Sequence, residues 1–336
     1  MLVISGDIGG TSTRMQFTEF TAANDMKIIA NIHYSNNNYG SFADIITAFF
    51  QETKMSIDKI AGACFGVAGP VVKGKVNITN LPWVINTRDI KNQLKLDKVE
   101  LINDFASIGH GLEILQPKDM LTLQVGKPRP NGIRAYIGAG TGLGVGFMTC
   151  YQGQYLIHST EGGHIDFAPT DDLQIELLRY MRKKYHRVSF ERLLSGQGLI
   201  NIYAFVRDNK IFGEEENPNL RFLIKSSKHI DVAATIAEYA IKHKDIMAMR
   251  ALNIFIGIYG SAVGNLALTT LPFAGLYVVS GIAPKLLKEI EKGNFYKSFL
   301  DKGRMSHIIK DVPLHIVLYQ DVGLQGTAIC AKKLVG

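Results

Sequence analysis

The chain has 336 residues, 46% of them hydrophobic and 20% charged, a balance that supports a buried core and excludes an intrinsically disordered chain. Its formal charge of +7 fits nucleic acid, a membrane surface or an anionic small substrate, but the Lys and Arg residues are scattered, and the densest run, residues 179–187 (RYMRKKYHR), reads as the solvated face and end of one helix. Three distant cysteines, Cys64, Cys150 and Cys330, form no C-x-x-C pair, so neither a zinc site nor a disulfide framework is expected, and reduced thiols in a cytoplasm are the simplest account.

In chain order, residues 1–7 form a short apolar run read as a buried strand, with no basic region that would mark a signal peptide. Residues 13–20 alternate and read as a second strand, and 25–34 as a third. Residues 41–53 open with a cap-like Ser and carry Phe42, Ile45, Ile46, Phe49 and Phe50 at helical spacing. Strands are expected at 60–68 and 99–102, with a helix over 103–115. Residues 126–132 (GKPRPNG) read as a loop near a domain boundary. A second strand pair, 133–137 and 143–149, is followed by helices over 172–184, 198–207, 229–243 and 245–269. A strand at 276–280, a helix from about Pro284, a strand at 313–318 and a closing helix over 321–334 complete the chain. No window is read as long enough to cross a membrane. Asn77-Ile78-Thr79 matches a glycosylation sequon, which means nothing without secretion. The length suggests two domains, and the order suggests mixed sheets with helices on their faces, the second half repeating the first in outline.

Each half opens with two strands split by a glycine turn. Asp7-Ile8-Gly9-Gly10-Thr11 offers glycines that tolerate positive φ and close approach, successive N–H groups for an anion, and a carboxylate able to hold a cation's water shell. An ordinary hairpin turn is the plainer account of this stretch alone. The partner, Gly138-Ala139-Gly140-Thr141-Gly142-Leu143-Gly144, is not a dinucleotide fingerprint, because Leu143 stands at the sixth position and a strand follows. Two such hairpins suit a phosphate chain gripped from both sides. The segment from Gly69 to Val76 only approximates a P-loop: Val76 stands where Ser or Thr must meet magnesium, so a hairpin turn is expected.

Asn103-Asp104 follows a buried strand and opens a helix, either as a ligand-facing pair or as a helix cap. Glu161-Gly162-Gly163-His164 places a carboxylate and an imidazole on a tight turn, suited to vicinal hydroxyls, or else forms a structural turn. Glu191 taken alone reads as a surface acid.

The ordered set GDIGGTSTR, FGVAGPVVKGKVNITNLPW, LINDF, IGAGTGLGVGF, EGGHIDFAP, SFERLLSGQGL and VVSGIAPK resembles the bacterial-type glucokinases of the actin, Hsp70 and sugar-kinase superfamily, essentially end to end. The resemblance implies an α/β, two-lobed, duplicated ribonuclease-H-like fold with an inter-lobe cleft. The small lobe would take residues 1–113 and 319–336, the large lobe 114–318. It implies glucose, Mg²⁺ and ATP or a related donor. Asp104 would be the general base, and Asn103, Asp104, Glu161, His164 and Glu191 would meet the sugar. Gly9, Gly10 and Thr11 would cradle phosphates from one lobe and Gly140 and Thr141 from the other, with Gly281 by the adenosine and Asp7 as an outer-shell magnesium partner. A cytoplasmic homodimer is expected, without nucleic acid or membrane as partner. The related repressor/kinase group carries a cysteine-rich zinc motif that this chain lacks between Cys150 and Cys330, so no zinc is expected.

Three rivals stand beside this reading. One is a kinase for fructose, mannose or an N-acetylhexosamine, which spacing cannot distinguish. Another is a sugar-sensing repressor, which needs a DNA-binding module ahead of the first strand. The third is an ATPase or chaperone-like switch, which would lack the sugar set.

Overall fold

The computed structural model describes residues 1–21, 25–78, 81–213, 215–226 and 230–336. The chain divides into two compact units: Met1–Asp119 with Ile157–Ser159 and Tyr319–Gly336, and Met120–Leu156 with Thr160–Leu318.

The first unit is built on strands β1 (Leu2–Ile8), β2 (Ser12–Phe20), β3 (Met26–Ser35), β4 (Ile60–Val67) and β7 (Val99–Asn103), in the order β3-β2-β1-β4-β7. A two-stranded ribbon, β5 (Lys75–Asn77) and β6 (Val84–Asn86), stands apart. β1 pairs antiparallel with β2 and parallel with β4, and β4 is parallel to β7. Burial on both faces explains why β1 and β4 are almost continuously apolar. Alternate residues serve opposite faces: Ile4, Ala63 and Phe65 join one core with Phe17, while Val3 and Cys64 join another. Helix α1 (Phe42–Thr53) covers the first face with Phe42, Ile45, Ile46 and Phe49, and its expected cap holds, Ser41 accepting from the Asp44 N–H. The C-terminal helix Val322–Val335 covers the second with Ala328, Ile329, Cys330 and Ala331. Gln16 and Gln325, both fully buried, exchange two hydrogen bonds of 3.0 and 3.1 Å and tie that helix to β2.

The P-loop-like stretch is a hairpin turn, as expected. Lys73 and Gly74 both take left-handed φ, 51° and 71°, and the Lys75 N–H closes onto the Val72 carbonyl at 3.0 Å. β5 ends at Asn77, and Thr79, the last residue of the sequon, lies outside the described residues. Helix α2 (Thr87–Leu94), capped by Asn86, was not apparent in the sequence.

The second unit repeats the plan. Its sheet contains β8 (Met120–Gln124), β9 (Arg134–Ala139), β10 (Leu143–Tyr151), β11 (Gln154–Thr160), β12 (Leu276–Val278) and β13 (Leu314–Val317), in the order β11-β10-β9-β12-β13-β8. As in the first unit, an antiparallel hairpin, β9–β10, borders strands that run parallel to its first member. The fold is thus a duplicated, mixed α/β architecture. Loop 126–132 comes six residues after the first boundary between the units, at Met120, and is held within the second: the Lys127 N–H donates to the Asp311 carbonyl, the Arg129 N–H to that of Phe273, and the Arg129 guanidinium stacks 3.9 Å from the Phe273 ring.

Helices α3 (Asp104–Gly111), α4 (Asp172–Tyr185), α5 (Gly196–Asp208), α6 (Pro218–Ser226), α7 (Val232–Ile241) and α8 (Ile246–Thr270) follow. The expected start at His229 lies outside the described residues, and α7 begins behind an Asp231 cap. The expectation about membrane-spanning windows is corrected by α8, whose 25 residues are long and apolar enough. Its apolar window is 78% buried within the protein. A Cβ on Gly260 would lie 2.1 Å from the Phe295 carbonyl oxygen, so the helix Asn294–Leu300 touches its backbone. The physical reason for the composition of α8 is therefore its place at the centre of a protein core.

Candidate active site

In the first unit, Asp7 pairs with Arg14 and Ile8 with Thr13 across the first hairpin, and the Gly9 N–H donates to the Ser12 carbonyl at 2.9 Å. Neither Gly9 nor Gly10 takes a left-handed φ, contrary to the conformational expectation. The turn closes with this hydrogen bond and needs no left-handed residue at either glycine. Buried Asn36 braces it: the Thr13 hydroxyl donates to Asn36 Oδ1 at 2.8 Å, Asn36 Nδ2 donates to the Gly9 carbonyl at 2.9 Å, and the Asn36 N–H donates to the Thr11 carbonyl at 3.0 Å. The Thr11 side chain is left exposed.

Asp7 accepts from Arg14 Nη2 at 3.2 Å, and Arg14 Nη1 reaches Asp321, beside the start of the C-terminal helix. Partial burial opposes the Arg14 charge, but Asp7 and Asp321 outweigh it and raise its pKa.

β7 delivers Asn103 and Asp104 to the end of the sheet. Asn103 is the cap of α3: its Oδ1 accepts from the Phe105 and Ala106 N–H groups at 3.0 and 3.4 Å, while its Nδ2 donates to the Gly69 carbonyl at 3.1 Å. The capping alternative thus falls on Asn103 and frees Asp104 of that duty. Asp104 also accepts from the Phe105 N–H, at 2.8 Å. Burial, and then the negative charge of Asp7, push its carboxyl up to about 6 against these hydrogen bonds.

In the second unit, the β9–β10 turn closes with Gly140 N–H to the Gly142 carbonyl at 2.8 Å, and the Gly140 carbonyl accepts from the Gly196 N–H at the start of α5, 2.9 Å away. A Cβ at Gly140 or Gly281 would meet no protein atom within 4 Å, and neither residue has a left-handed φ. Neither packing nor backbone conformation demands glycine at these two positions. Next to Gly281, Ser280 adopts φ 73°, an uncommon conformation for a residue with a side chain, and its Oγ would stand 2.4 Å from a Cβ on Gly138.

The turn containing Glu161 and His164 folds beneath this hairpin. A Cβ on Gly163 would fall 1.9 Å from the Leu143 carbonyl oxygen, and one on Gly162 3.0 Å from Val145. Both glycines therefore pack tightly against β10. Two backbone hydrogen bonds of 3.0 Å, Phe167 N–H to Val188 and Phe190 N–H to Ile165, lace this loop to the segment carrying Glu191. His164 Nε2 lies 3.8 Å from a Glu161 oxygen, and its Nδ1 lies 3.9 Å from Glu191 Oε1. Glu191 is not the surface acid its sequence context suggests: it is 29% exposed, and Oε2 accepts from the Leu143 N–H at 3.0 Å. Nor is Arg187 merely solvated. It pairs with Asp166 at 2.8 Å and donates to the His164 carbonyl at 2.9 Å, fixing the loop.

Asp7, Gly9, Gly10, Thr11, Asn103 and Asp104 thus belong to the first unit, and Gly140, Thr141, Glu161, His164, Glu191 and Gly281 to the second. A family model described as glucokinase matches residues 4–334. This chain belongs to the glucokinase family. A glucokinase of Nostoc sp. (strain PCC 7120 / SAG 25.82 / UTEX 2576) is 40% identical over 343 residues, covering 99% of each chain. The crystal structure of a glucokinase from an Antarctic psychrotroph is similar with a TM-score of 0.83 at 29% identity, again covering 99% of each chain. The glucokinase of Balamuthia mandrillaris in complex with glucose shares the fold, with a TM-score of 0.76 at 19% identity over 98% of this chain and 93% of that one. The chain is therefore a hexose kinase, and ATP-dependent glucose phosphorylation is the family's reaction. Four residues that brace these loops, Arg14, Asn36, Arg187 and Asp321, were given no such part from the sequence. Arg14 lies inside the first glycine motif, but nothing in a linear sequence signals that Asp321 meets it.

Proposed function

We propose that this glucokinase transfers the γ-phosphoryl group of ATP to the primary hydroxyl of glucose, with Asp104 as general base. The observation that carries the assignment is a partly buried carboxyl at the start of α3, lifted to about 6 and without a Lys or Arg ion pair among the described residues. A carboxylate so placed is ionised at neutral pH yet basic enough to accept a hydroxyl proton late in an in-line attack. Glu161, His164 and Glu191 would hold sugar hydroxyls, joined by Asn103, whose cap and Gly69 contacts fix its orientation. Gly9, Gly10, Thr11, Gly140 and Thr141 would line the phosphates, and Gly281 the adenosine.

No group of three or more His, Cys, Asp or Glu side chains is gathered as a metal cage among the described residues. Mg²⁺ would be held mainly by phosphates and water, with Asp7, 35% exposed and oriented by Arg14, as an outer-shell partner. When bound, the ion supplies neutralisation of phosphate charge. We also assign a cytoplasmic homodimer, which sedimentation of the purified protein would check.

A panel of sugars in a coupled ADP-release assay tests the reading. Glucose should give the highest kcat/KM; a higher value for fructose, mannose or N-acetylglucosamine, or ATP turnover without sugar, would overturn it. Glu161→Gln should raise the KM for glucose about 10- to 150-fold, since a hydrogen bond to a charged group contributes about 1.5–3 kcal/mol. An unchanged KM would remove Glu161 from the sugar set. Gly140→Ala should leave the unfolding midpoint in place, because the methyl meets only open space, yet weaken nucleotide binding. Overpacking against a phosphate costs about 1–3 kcal/mol, or roughly 5- to 150-fold in affinity. Unaltered nucleotide affinity would place the phosphates elsewhere.

A further inference from the structure

Glu191 stands at a junction. One carboxylate oxygen accepts from the Leu143 N–H, directly after the glycine hairpin, and the other lies 3.9 Å from His164. The same segment holds the hairpin at a second point: the Ser195 hydroxyl donates to the Glu191 carbonyl at 2.8 Å and caps α5, whose first N–H, that of Gly196, donates to the Gly140 carbonyl. The hairpin is thus suspended from residues 191–196 by one backbone bond and one side-chain bond. The backbone bond does not sense sugar, whereas the side-chain bond can, because it shares its carboxylate with the sugar loop.

We propose that Glu191 is a positioning residue that couples the two ligands, so that a sugar drawing on its carboxylate changes how the Leu143 end of the nucleotide hairpin is held, and a nucleotide on the hairpin changes how Glu191 meets the sugar. The inference rests on the functional reading above, which puts sugar at His164 and phosphate at Gly140. Coupling through one shared group is reciprocal: glucose should alter the nucleotide affinity by the same factor as nucleotide alters that of glucose. Sequence offers a way to disturb the link without deleting the acid. A Cβ on Gly142 would stand 2.7 Å from Glu191 Oε2, the mobile end of a side chain, so Gly142→Ala displaces the carboxylate from Leu143 with little other strain.

The test is calorimetric titration of the full-length protein with the non-hydrolysable ATP analogue AMPPNP and Mg²⁺, with and without saturating glucose, and the converse pair. The wild type should show a coupling factor of about 5–150 in both directions. Gly142→Ala should bind each ligand with a factor near one. Glu191→Gln, which keeps an oxygen for the Leu143 N–H, should retain part of it, and Glu191→Ala should lose the change in AMPPNP affinity on adding glucose. A purely structural role would scale both affinities and leave their ratio unchanged. Wild-type coupling in Gly142→Ala and Glu191→Ala, or a wild-type factor near one, overturns the inference. A wild type that binds no glucose overturns the functional reading itself, and the coupling with it.

Discussion

Asp104→Asn is expected to lower kcat by about 10²–10⁴ while glucose still binds, because the substitution removes a proton acceptor and keeps the side-chain shape. The amide oxygen can still accept from the Phe105 N–H, as the carboxylate does at 2.8 Å. Two pH-dependent readouts separate this assignment from damage to the fold. In the wild type, kcat/KM should fall as pH drops through about 6, where burial and the charge of Asp7 place the carboxyl. Stability should move the other way. The carboxyl is raised from 3.8 to about 6, so between these values the folded chain binds more protons than the unfolded one. Its contribution is favourable below about 4 and is lost as pH rises through about 6. Above that point the wild type carries the cost of a buried charge, which asparagine does not. At pH 8 the variant should therefore be more stable, by up to about 3 kcal/mol for a shift of about two pKa units, and the gain should vanish toward pH 4. Urea midpoints at the two pH values measure it. Near-normal kcat would refute the base, and a variant less stable at pH 8 would refute the account of its titration.

The sequence made one half of this site easier to find than the other. Strand–turn–strand glycine motifs depend on local rules, and 1–20 and 134–151 fold as those rules foresee. The paired halves were legible for the same reason. Contacts between distant segments were not. Asn36 looks like one of three consecutive asparagines, yet it alone of the three is buried and braces the Gly9 turn. Glu191 gains its role from a hydrogen bond to Leu143, 48 residues away, and Arg187 from a loop beginning more than twenty residues earlier. Helix α8 was read as a helix, but its length and apolar composition, which a helix surrounded by protein shares with one surrounded by lipid, were underestimated.

Gly326→Ala should produce the largest loss of stability from a single methyl group. Its Cβ would lie 1.8 Å from the Ser107 carbonyl oxygen and 2.7 Å from the Gly111 nitrogen. Gly111 is in the reciprocal position, 1.9 Å from the Val322 carbonyl oxygen. Ser107 and Gly111 are one helical turn apart on α3, and Val322 and Gly326 one turn apart on the C-terminal helix, so the two backbones touch along a full turn. This contact has a bearing on catalysis. α3 begins at Asp104, and the C-terminal helix begins one residue after Asp321, which holds Arg14 and through it Asp7. The glycine contact therefore sets the spacing between Asp104, the proposed base, and the Arg14–Asp7 pair. Backbone atoms cannot swing aside as a side chain does, so the helices must separate. Overpacking of this kind costs about 3 kcal/mol or more, against a gain of about 1 kcal/mol from the better helix propensity of alanine. The opposing terms make the sign informative: a lower urea midpoint identifies the steric contact, and a higher one would show that the helices are not this close. A displacement of about 1 Å at Asp104 should also reduce kcat about 10²-fold in the variant that remains folded. Gly140→Ala is the control, since its methyl enters open space and should spare stability while affecting nucleotide affinity.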